Sequence, residues 1–315
     1  MDSGPLYQEQ KMHPVIASLK LVLKQRWLFF MMLPGLLYFF IFRYIPMWGL
    51  LLSLKNYSPY QGFFGSPWAG LAQFKRLFSD SSFIQILRNT VVLSLMNILL
   101  YFPMPIIVAL LLNEMQLRKY RSLVQTVIYV PHFISWVVVV GITYVLLNPE
   151  SGLVNNLMLN MGKTPPNFLL DKNYFRPIYI IQIIWKETGW GTIIFFAALS
   201  GIDPELYEAC QIDGGNRWHR LLYITLPGLK SVIITLFILR LGNFLDTGFE
   251  QIFLLLNAMT SEYAEVFDTY IYVMALQQGQ FSYSTAIGLF KSVIGIILIL
   301  GSNAIVKKMG EEGIL

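Results

Sequence analysis

The sequence has little of what a soluble or metal-dependent protein needs. Only 13% of its 315 residues are charged, about half of the roughly 25% usual in soluble domains, which excludes a cytosolic globular enzyme, a disordered protein and a nucleic-acid-binding domain. The lone cysteine, Cys210, excludes an internal disulfide and any paired-cysteine metal or redox motif. The three histidines, His13, His132 and His219, lie too far apart in sequence for a zinc motif.

A nucleotide-binding motif is also missing from the sequence. A phosphate-binding loop requires the pattern G-x-x-x-x-G-K-[ST]. Gly162-Lys163-Thr164 supplies its end, but Leu157 stands where the first glycine should be, and two prolines follow. No Ser-His-Asp set and no pair of carboxylates stands out either. We therefore expect a chain that is not an enzyme and that binds no metal or cofactor itself.

Long hydrophobic runs are what the sequence has instead. Hydrophobic residues make up 55% of the chain, and the mean hydropathy is +0.56. Because a membrane-crossing helix needs about 20 apolar residues, six runs predict an all-α integral membrane protein with six transmembrane helices. Its transmembrane domain would cover residues 27–306, between cytoplasmic segments 1–26 and 307–315. The predicted spans are 27–54, 86–113, 122–149, 176–200, 226–248 and 282–306.

The basic residues predict the orientation of these spans. With the N-terminus inside, the cytoplasmic segments hold twelve of the 23 Lys and Arg residues and the outer segments hold seven. Short cytoplasmic loops are the ones that carry an excess of such residues. The outer segment from Asp246 to Asp268 has five acids and no base. We therefore expect both termini in the cytoplasm, with an amphipathic helix over residues 15–26 before the first span.

The cytoplasmic loop between spans four and five predicts a short helix over residues 204–213. Asp203 is a good N-cap, Pro204 suits the first helical position, and Glu205 suits the first turn. Gly214 and Gly215 supply the end of the helix. Such a helix has little core of its own, so it needs a surface to pack on. That surface is either the lipid headgroups or a cytoplasmic partner protein.

The same loop carries a specific motif. Glu208-Ala209-Cys210 is followed by three residues, then Gly214, then nine residues, then Ile-Thr-Leu and Pro227. It resembles the EAA loop of ABC importer permeases; Cys210 stands where the family has Ala and, being small, should preserve the docking. Neighbouring segments narrow the resemblance to the polysaccharide or oligosaccharide branch, an LplB-like group that includes alginate importers. Those segments are 185–190, 201–209, 242–252 and 286–292.

The resemblance implies a transport subunit within a larger assembly in the bacterial cytoplasmic membrane. Such a permease forms half of a translocation pathway with a second, homologous permease. Two ABC ATPase subunits hold ATP and Mg, and an extracytoplasmic solute-binding protein delivers the oligosaccharide. The loop helix would fit a cleft on the ATPase, with Glu208 as a charged contact; Gly214 could equally be a plain helix end. The expected coupling residues are Asp203, Glu205, Tyr207, Glu208, Ala209, Cys210, Asp213, Gly214 and Pro227.

Polar and aromatic residues inside the spans predict the substrate path. A charged residue at bilayer depth must face a cavity or a neighbouring helix, and sugars bind through aromatic faces and hydrogen bonds. Arg240, Asn243, Phe244, Thr247 and Gln251 recur at three- and four-residue steps, which places them on one helix face. The candidate path residues are Trp185, Lys186, Glu187, Trp190, Arg240, Asn243, Phe244 and Lys291.

Alternatives to this path remain open at the level of sequence. Lys186 and Glu187 are about 100° apart on a helix and are not expected to face each other. Arg240 could pair with Glu187 and act only as a strut, and Arg43 and Lys291 could reach the headgroups. If the four basic residues at span depth line the path, they favour an anionic substrate such as a uronate-containing oligosaccharide. A secondary transporter or channel would need an inverted repeat, and none is evident.

Overall fold

A computed structural model describes residues 25–308 together with Gly310 and Gly313. The predicted amphipathic helix over residues 15–26 and most of the segment 1–26 lie outside the described residues, as does part of the tail 307–315. Within the described part the chain is helical, and its only β-type pairing is an isolated bridge between Lys55 and Trp68. The chain divides into two units, residues 1–51 and residues 52–315.

One long apolar helix begins in the first unit and ends just inside the second. It begins at Arg26 and continues to Leu54 through π and 3-10 turns, and it carries Pro34 in its interior. None of the residues of its first segment is buried, so its apolar side chains suit a lipid or protein environment. Its segments are α1 (Arg26–Phe39), a π-turn (Phe40–Tyr44), α2 (Ile45–Met47) and a 3-10 turn (Trp48–Leu54).

The second unit begins with short helices and a long, π-interrupted span. The short helices are α3 (Gly62–Gly65) and α4 (Ala72–Ser79). The span is continuous over Ser81–Glu114; it consists of α5 (Ser81–Met96), a π-turn (Asn97–Tyr101) and α6 (Pro103–Glu114). Pro103 lacks an amide hydrogen, which is why the regular α pattern is interrupted there.

The predicted third span, 122–149, is not one straight helix. α7 (Arg118–Tyr129) and a 3-10 turn (Val130–Phe133) are followed by α8 (Trp136–Leu146), which is bent away by 97°. Pro131 cannot continue the hydrogen-bond ladder, and Ser135 starts the new helix by accepting a hydrogen bond from the Val138 amide at 3.4 Å. The short helix α9 (Leu153–Asn160) follows.

The predicted fourth span lies in α10 (Lys172–Leu199), a helix of 28 residues. At 1.5 Å per residue it is about 42 Å long, enough to cross a bilayer. After it come α11 (Pro204–Ile212) and α12 (Arg217–Arg220). After the orientation that the basic residues predict, we call the α11 end of the bundle the inner end and the Lys172 end the outer end.

The predicted fifth span, 226–248, has different boundaries in the structure. The helix begins nine residues earlier, at Arg217, runs through a π-turn (Leu221–Thr225) and becomes α13 (Leu226–Gly242). It ends six residues before the predicted limit, and Gly248 then adopts a φ of +89°, a backbone conformation outside the helix. The remaining helices are α14 (Phe249–Leu255), α15 (Ser261–Ala264), α16 (Phe267–Tyr272) and α17 (Phe281–Lys308), with a π-turn at Val273–Gln277.

Length and composition support part of the six-span prediction. Among the described residues, four helices are long and apolar enough to cross a membrane, and the bent pair of α7 and α8 would make a fifth. The four are Arg26–Leu54, Ser81–Glu114, Arg217–Gly242 and Phe281–Lys308. α10, which holds the fourth predicted span, packs against α6, α13, α15 and the 3-10 turn at Val130–Phe133, so it occupies the centre of the second unit.

Candidate functional site

The helix at the inner end has fixed caps at both of its ends. Asp203 accepts a hydrogen bond from the Glu205 amide at 2.9 Å, as its N-cap position predicts. At the other end the Gly214 amide donates to the Gln211 carbonyl at 3.1 Å and the Gly215 amide to the Cys210 carbonyl at 2.8 Å. This pair of bonds is a Schellman motif, so the helix has defined limits on the loop.

The two glycines are required for different reasons. Gly214 has a φ of +78°, where a side chain would be strained, so it is a helix-ending residue as the alternative interpretation held. Gly215 lacks space instead: an added Cβ would lie 2.4 Å from the Cys210 sulfur and 2.7 Å from its carbonyl oxygen. The Cys210 side chain thus packs directly over the turn.

α11 is bonded to the start of the fifth span's helix, and several of its other residues are exposed to solvent. The Tyr207 hydroxyl lies 3.1 Å from the Thr225 hydroxyl, which donates to the Arg220 carbonyl at 3.1 Å. Gly228 permits contact with Ile202, since an added Cβ would be 2.6 Å from that side chain. Glu208 and Ala209 are exposed, and Ile212 is 85% exposed. The predicted coupling residues Asp203, Glu205, Asp213 and Pro227 are exposed too.

A cavity of about 390 Å³, which we call the central cavity, lies between spans two, four and five. It contains three of the predicted path residues, Glu187, Arg240 and Asn243. Most of the other residues that line the cavity were not predicted from the sequence, although Thr247 and Gln251 were assigned to the same helix face as Arg240. The other lining residues are Asn97, Tyr101, Trp136, Ile183, Asp246 and Gly248.

One wall of the central cavity is a network of buried polar groups. The Tyr179 hydroxyl donates to the Thr247 carbonyl at 2.6 Å and accepts from the Asn97 amide at 2.8 Å. The Gln251 amide donates to the Tyr179 carbonyl at 3.0 Å and to the Gln182 side chain at 2.8 Å. Because buried polar groups are costly unless paired, this network holds α10, the π-turn at Asn97–Tyr101 and the segment from Thr247 to α14 at fixed separations.

Lys186 and Glu187 belong to a second network, against the turn at Val130–Phe133. Lys186 is buried and donates to the His132 carbonyl at 2.5 Å. Glu187 lies 2.8 Å from the His132 ring nitrogen and 3.3 Å from the Lys186 nitrogen. The expectation that these two neighbours do not face each other is therefore wrong, since their long side chains converge on His132.

A close backbone approach makes the second network possible. A Cβ added to Gly189 would lie 1.8 Å from the Ile128 carbonyl oxygen, so only glycine lets α10 and α7 meet there. Trp190 then stacks on the His132 ring, with the ring centroids 4.4 Å apart and the planes 5° apart. His132, which was dismissed as an isolated histidine, is the centre of this contact.

Arg240 differs from the other cations of the predicted path. It lines the central cavity, is half-buried, and makes no hydrogen bond or ion pair with any residue that the structure describes. Its expected strut partner, Glu187, is instead bonded to His132 and Lys186. An arginine held in a cavity without a carboxylate partner is available to bind a ligand anion.

A second cavity of about 390 Å³ adjoins the central one between spans five and six. Lys291 lines it and forms an ion pair with Asp268, which lies on α16. Asn243 and Asp246 line both cavities. The two spaces therefore meet at these two residues, and Lys291 is neutralised locally.

The remaining path candidates lie away from both cavities. Trp185 and Trp190 are 49% and 47% exposed on the surface of α10. Phe244 contributes its carbonyl oxygen as the acceptor of a hydrogen bond from Ser94. Because α13 ends at Gly242, the five residues assigned to one helix face do not share a helix; four of them nevertheless line the central cavity.

Comparison with known proteins agrees with the architecture. Residues 87–311 match the family described as "Binding-protein-dependent transport system inner membrane component". The chain is 48% identical over 309 residues to the polygalacturonan/rhamnogalacturonan transport system permease protein YteP of Bacillus subtilis (strain 168), covering 98% of this chain and 95% of that protein. It is 50% identical over 299 residues to protein LplB of the same organism, covering 95% and 93%.

Comparison with solved structures also finds ABC transporter chains. A chain in the crystal structure of a bacterial alginate ABC transporter, in complex with an alginate pentasaccharide-bound periplasmic protein, has 39% identity and a TM-score of 0.86; the match covers 94% of this chain and 99% of that one. A second structure, of a bacterial ABC transporter involved in the import of the acidic polysaccharide alginate, gives 39% identity and a TM-score of 0.87. The chain therefore belongs to the family of binding-protein-dependent inner membrane components, and it is a permease subunit of a sugar-transporting ABC system.

Proposed function

We propose that this permease imports acidic oligosaccharides, with uronate residues that are released from a polysaccharide. The proposal is supported by two relatives of high coverage whose described substrates are acidic: polygalacturonan or rhamnogalacturonan for one and alginate for the other. The observation that carries it for this chain is Arg240, which lies in the central cavity with no hydrogen bond or ion pair to any described residue.

The argument from charge for an anionic substrate rests on fewer basic residues than the sequence suggested. Lys186 is bonded to Glu187, and Lys291 to Asp268, so neither adds a free positive charge to the path. Arg240 remains as the cation of the central cavity. Tyr101 and Trp136 offer flat faces for sugar rings, while Asp246 and Asn243 can hydrogen-bond hydroxyl groups.

The rest of the assembly follows the family. In our proposal a second permease completes the pathway, two ATPase subunits bind ATP and Mg, and an extracytoplasmic binding protein delivers the sugar. The capped helix α11 docks on an ATPase through Glu208, Ala209 and the exposed turn at Gly214. Its short connection to α10 and its bonds to Thr225 would pass movement to the spans that line the central cavity.

We also propose six spans with both termini in the cytoplasm. α10 would be the fourth span and the bent pair of α7 and α8 the third. α10 has the necessary length, and the central position of its charged residues is compensated by the His132 network. The twelve-to-seven distribution of basic residues sets the direction.

The test is a substrate screen on the reconstituted assembly. The permease pair, the ATPases and the binding protein are placed in proteoliposomes, and ATP hydrolysis and uptake are measured with matched acidic and neutral oligosaccharides. Oligogalacturonate and its methyl ester are suitable, because they differ in charge but share a backbone. We expect the acid to stimulate hydrolysis and uptake and the ester not to. Equal stimulation by both would contradict an acidic substrate.

A further inference from the structure

A group of cations gathers around one tyrosine ring at the outer end of the bundle. Tyr263, on α15, packs beside α5 and α10. The Arg88 guanidinium is 5.7 Å from its ring centroid, that of Arg176 is 5.0 Å away, and the Lys172 nitrogen is 4.9 Å away. We call these four residues the Tyr263 cluster.

Only one of the three cations of the cluster has an ion-pair partner. Glu262 bonds to Lys172 at 3.0 Å, but neither Arg88 nor Arg176 has an ion-pair partner among the described residues. Two more acids lie nearby, Asp171 beside Lys172 and Glu265, and neither forms an ion pair with a described cation. Burial and then Asp80 raise the pKa of Glu265 above its ordinary value. Arg88 and Arg176 are also close enough for their charges to repel each other.

Arg176 is held in place with donor capacity to spare. One of its terminal nitrogens donates to the Asn89 side chain at 3.2 Å. Asn89 is fully buried and is itself fixed by bonds to the Glu262 and Glu265 carbonyls, at 2.9 and 3.1 Å. The Arg176 Nε is buried and has no hydrogen-bond partner. Arg88, by contrast, is exposed.

Two guanidinium groups that lie over one ring, one fixed and one exposed, can together bind a carboxylate. Arginine binds this group through paired, charge-assisted hydrogen bonds, and a bound anion would relieve the repulsion between the two cations. Two residues of the cluster, Lys172 and Arg176, lie on the same helix as Glu187 of the central cavity. The eleven residues from Arg176 to Glu187, at 1.5 Å each, place Arg176 about 16 Å farther out. A ligand that approaches from the outer end would meet the cluster first.

We propose that the Tyr263 cluster is a carboxylate-binding site at the entrance of the pathway. Two sources can supply the carboxylate: a uronate of the arriving oligosaccharide, or an Asp or Glu of the protein that delivers it. The oligosaccharide source rests on the proposed function, whereas the protein source does not. Separate binding measurements therefore distinguish failure of this site from failure of the proposed substrate.

The principal variant is Arg88→Gln. Arg88 is exposed and lies over the Tyr263 ring, and it makes no hydrogen bond or ion pair with a described residue, so its loss should leave the fold intact. Arg176→Gln is the second variant and Lys75→Gln the matched control, since Lys75 is an exposed cation of α4, next to the outer end of α5. All are assembled with the second permease and the ATPases in phosphatidylcholine nanodiscs.

Two affinities are then measured at low and high salt. The first is that of the assembly for the sugar-free binding protein, and the second is that of the assembly alone for free oligogalacturonate. We expect Arg88→Gln to weaken one of these two affinities about 10-fold and to make that affinity less dependent on salt. The control, Lys75→Gln, should change neither affinity by more than about twofold. The affected affinity identifies the source of the carboxylate.

Two results would overturn the proposal. The first is that both affinities are unchanged in Arg88→Gln and in Arg176→Gln. The second is an effect that is absent in phosphatidylcholine and appears only in nanodiscs with anionic lipid, because the cluster would then bind lipid phosphate. If wild-type protein does not bind oligogalacturonate but the binding-protein affinity falls in Arg88→Gln, the carboxylate site stands and the acidic substrate does not.

Discussion

Replacing Arg240 with Gln tests the role of the central cavity directly. The substitution removes one positive charge from a side chain that has no ion pair or hydrogen bond to lose among the described residues. The bundle around it is held by other contacts, such as the Tyr179 network. We therefore expect assembly, thermal stability and basal ATP hydrolysis to stay close to wild type.

The loss should instead fall on the affinity for an acidic sugar. A hydrogen bond to a charged partner contributes about 1.5–3 kcal/mol, which corresponds to a rise of about 10- to 150-fold in the apparent transport constant. Arg240→Lys keeps the charge without the paired geometry and should give an intermediate value. Uptake of labelled oligogalacturonate into proteoliposomes, over a range of concentrations, measures all three proteins.

A contrasting variant separates ligand binding from support of the fold. Lys186 is buried, with 6% of its side chain exposed, and pairs with Glu187. Lys186→Met should lower the stability of the assembly before it alters affinity. Our interpretation of Arg240 would be refuted if Arg240→Gln behaved like Lys186→Met, losing assembly or melting temperature while the surviving complex kept its affinity.

Three further predictions concern coupling, topology and the buried ion pair. Glu208→Lys should insert in the membrane normally but lose transport and sugar-stimulated ATP hydrolysis, because the exposed carboxylate is reversed; normal uptake with the ATPase still bound would contradict the assignment. For topology, Cys210→Ser first removes the native thiol, and single cysteines are then placed at two exposed positions, Met259 and Ile212. Met259→Cys should react with an impermeant thiol reagent added outside intact cells, and Ile212→Cys should react only in inverted vesicles. The opposite labelling pattern would mean that the topology is reversed. Lys186→Met should destabilise the isolated permease by about 3–5 kcal/mol, as expected when one partner of a buried pair is removed, and unfolding in detergent by guanidinium would show it; an unchanged midpoint would mean that the pair contributes little.

The ends of the spans show why sequence gives boundaries poorly. Phe244 and Leu245 follow Gly242, and on that basis the fifth span was predicted to extend to residue 248. The helix ends instead where Gly242 approaches the backbone of α17. A Cβ added to Gly295 would lie 2.6 Å from the Gly242 carbonyl oxygen. Such a contact between two distant glycines leaves no mark on local composition. The bend at Pro131 is different, since proline signals a break but not its angle of 97°.

The cavity residues show the same limit for the site. Arg240 and Asn243 stood out because polar groups are rare within apolar runs. Asn97, Tyr101 and Trp136 did not, since single residues of these types in a hydrophobic span are more often packing residues. His132 was set aside because the histidines lie too far apart in sequence for a zinc motif, and its acid partner, Glu187, is 55 positions away. Only folding brings these groups together.

The sequence alone determined the membrane environment, the helical class and the short loop helix α11 of this protein. Low charge and long apolar runs require a membrane, and inside a membrane the backbone must satisfy its own hydrogen bonds, which leaves helices as the natural structure of such runs. Local rules of capping also fixed the limits of α11 almost to the residue, because caps involve only neighbours in the chain. The tertiary structure decided which charges are neutralised and which have no ion-pair partner among the described residues. Lys186 pairs with Glu187 and Lys291 with Asp268, whereas Arg240 has no such partner among the described residues. These outcomes depend on distances between helices, and no local pattern encodes those distances.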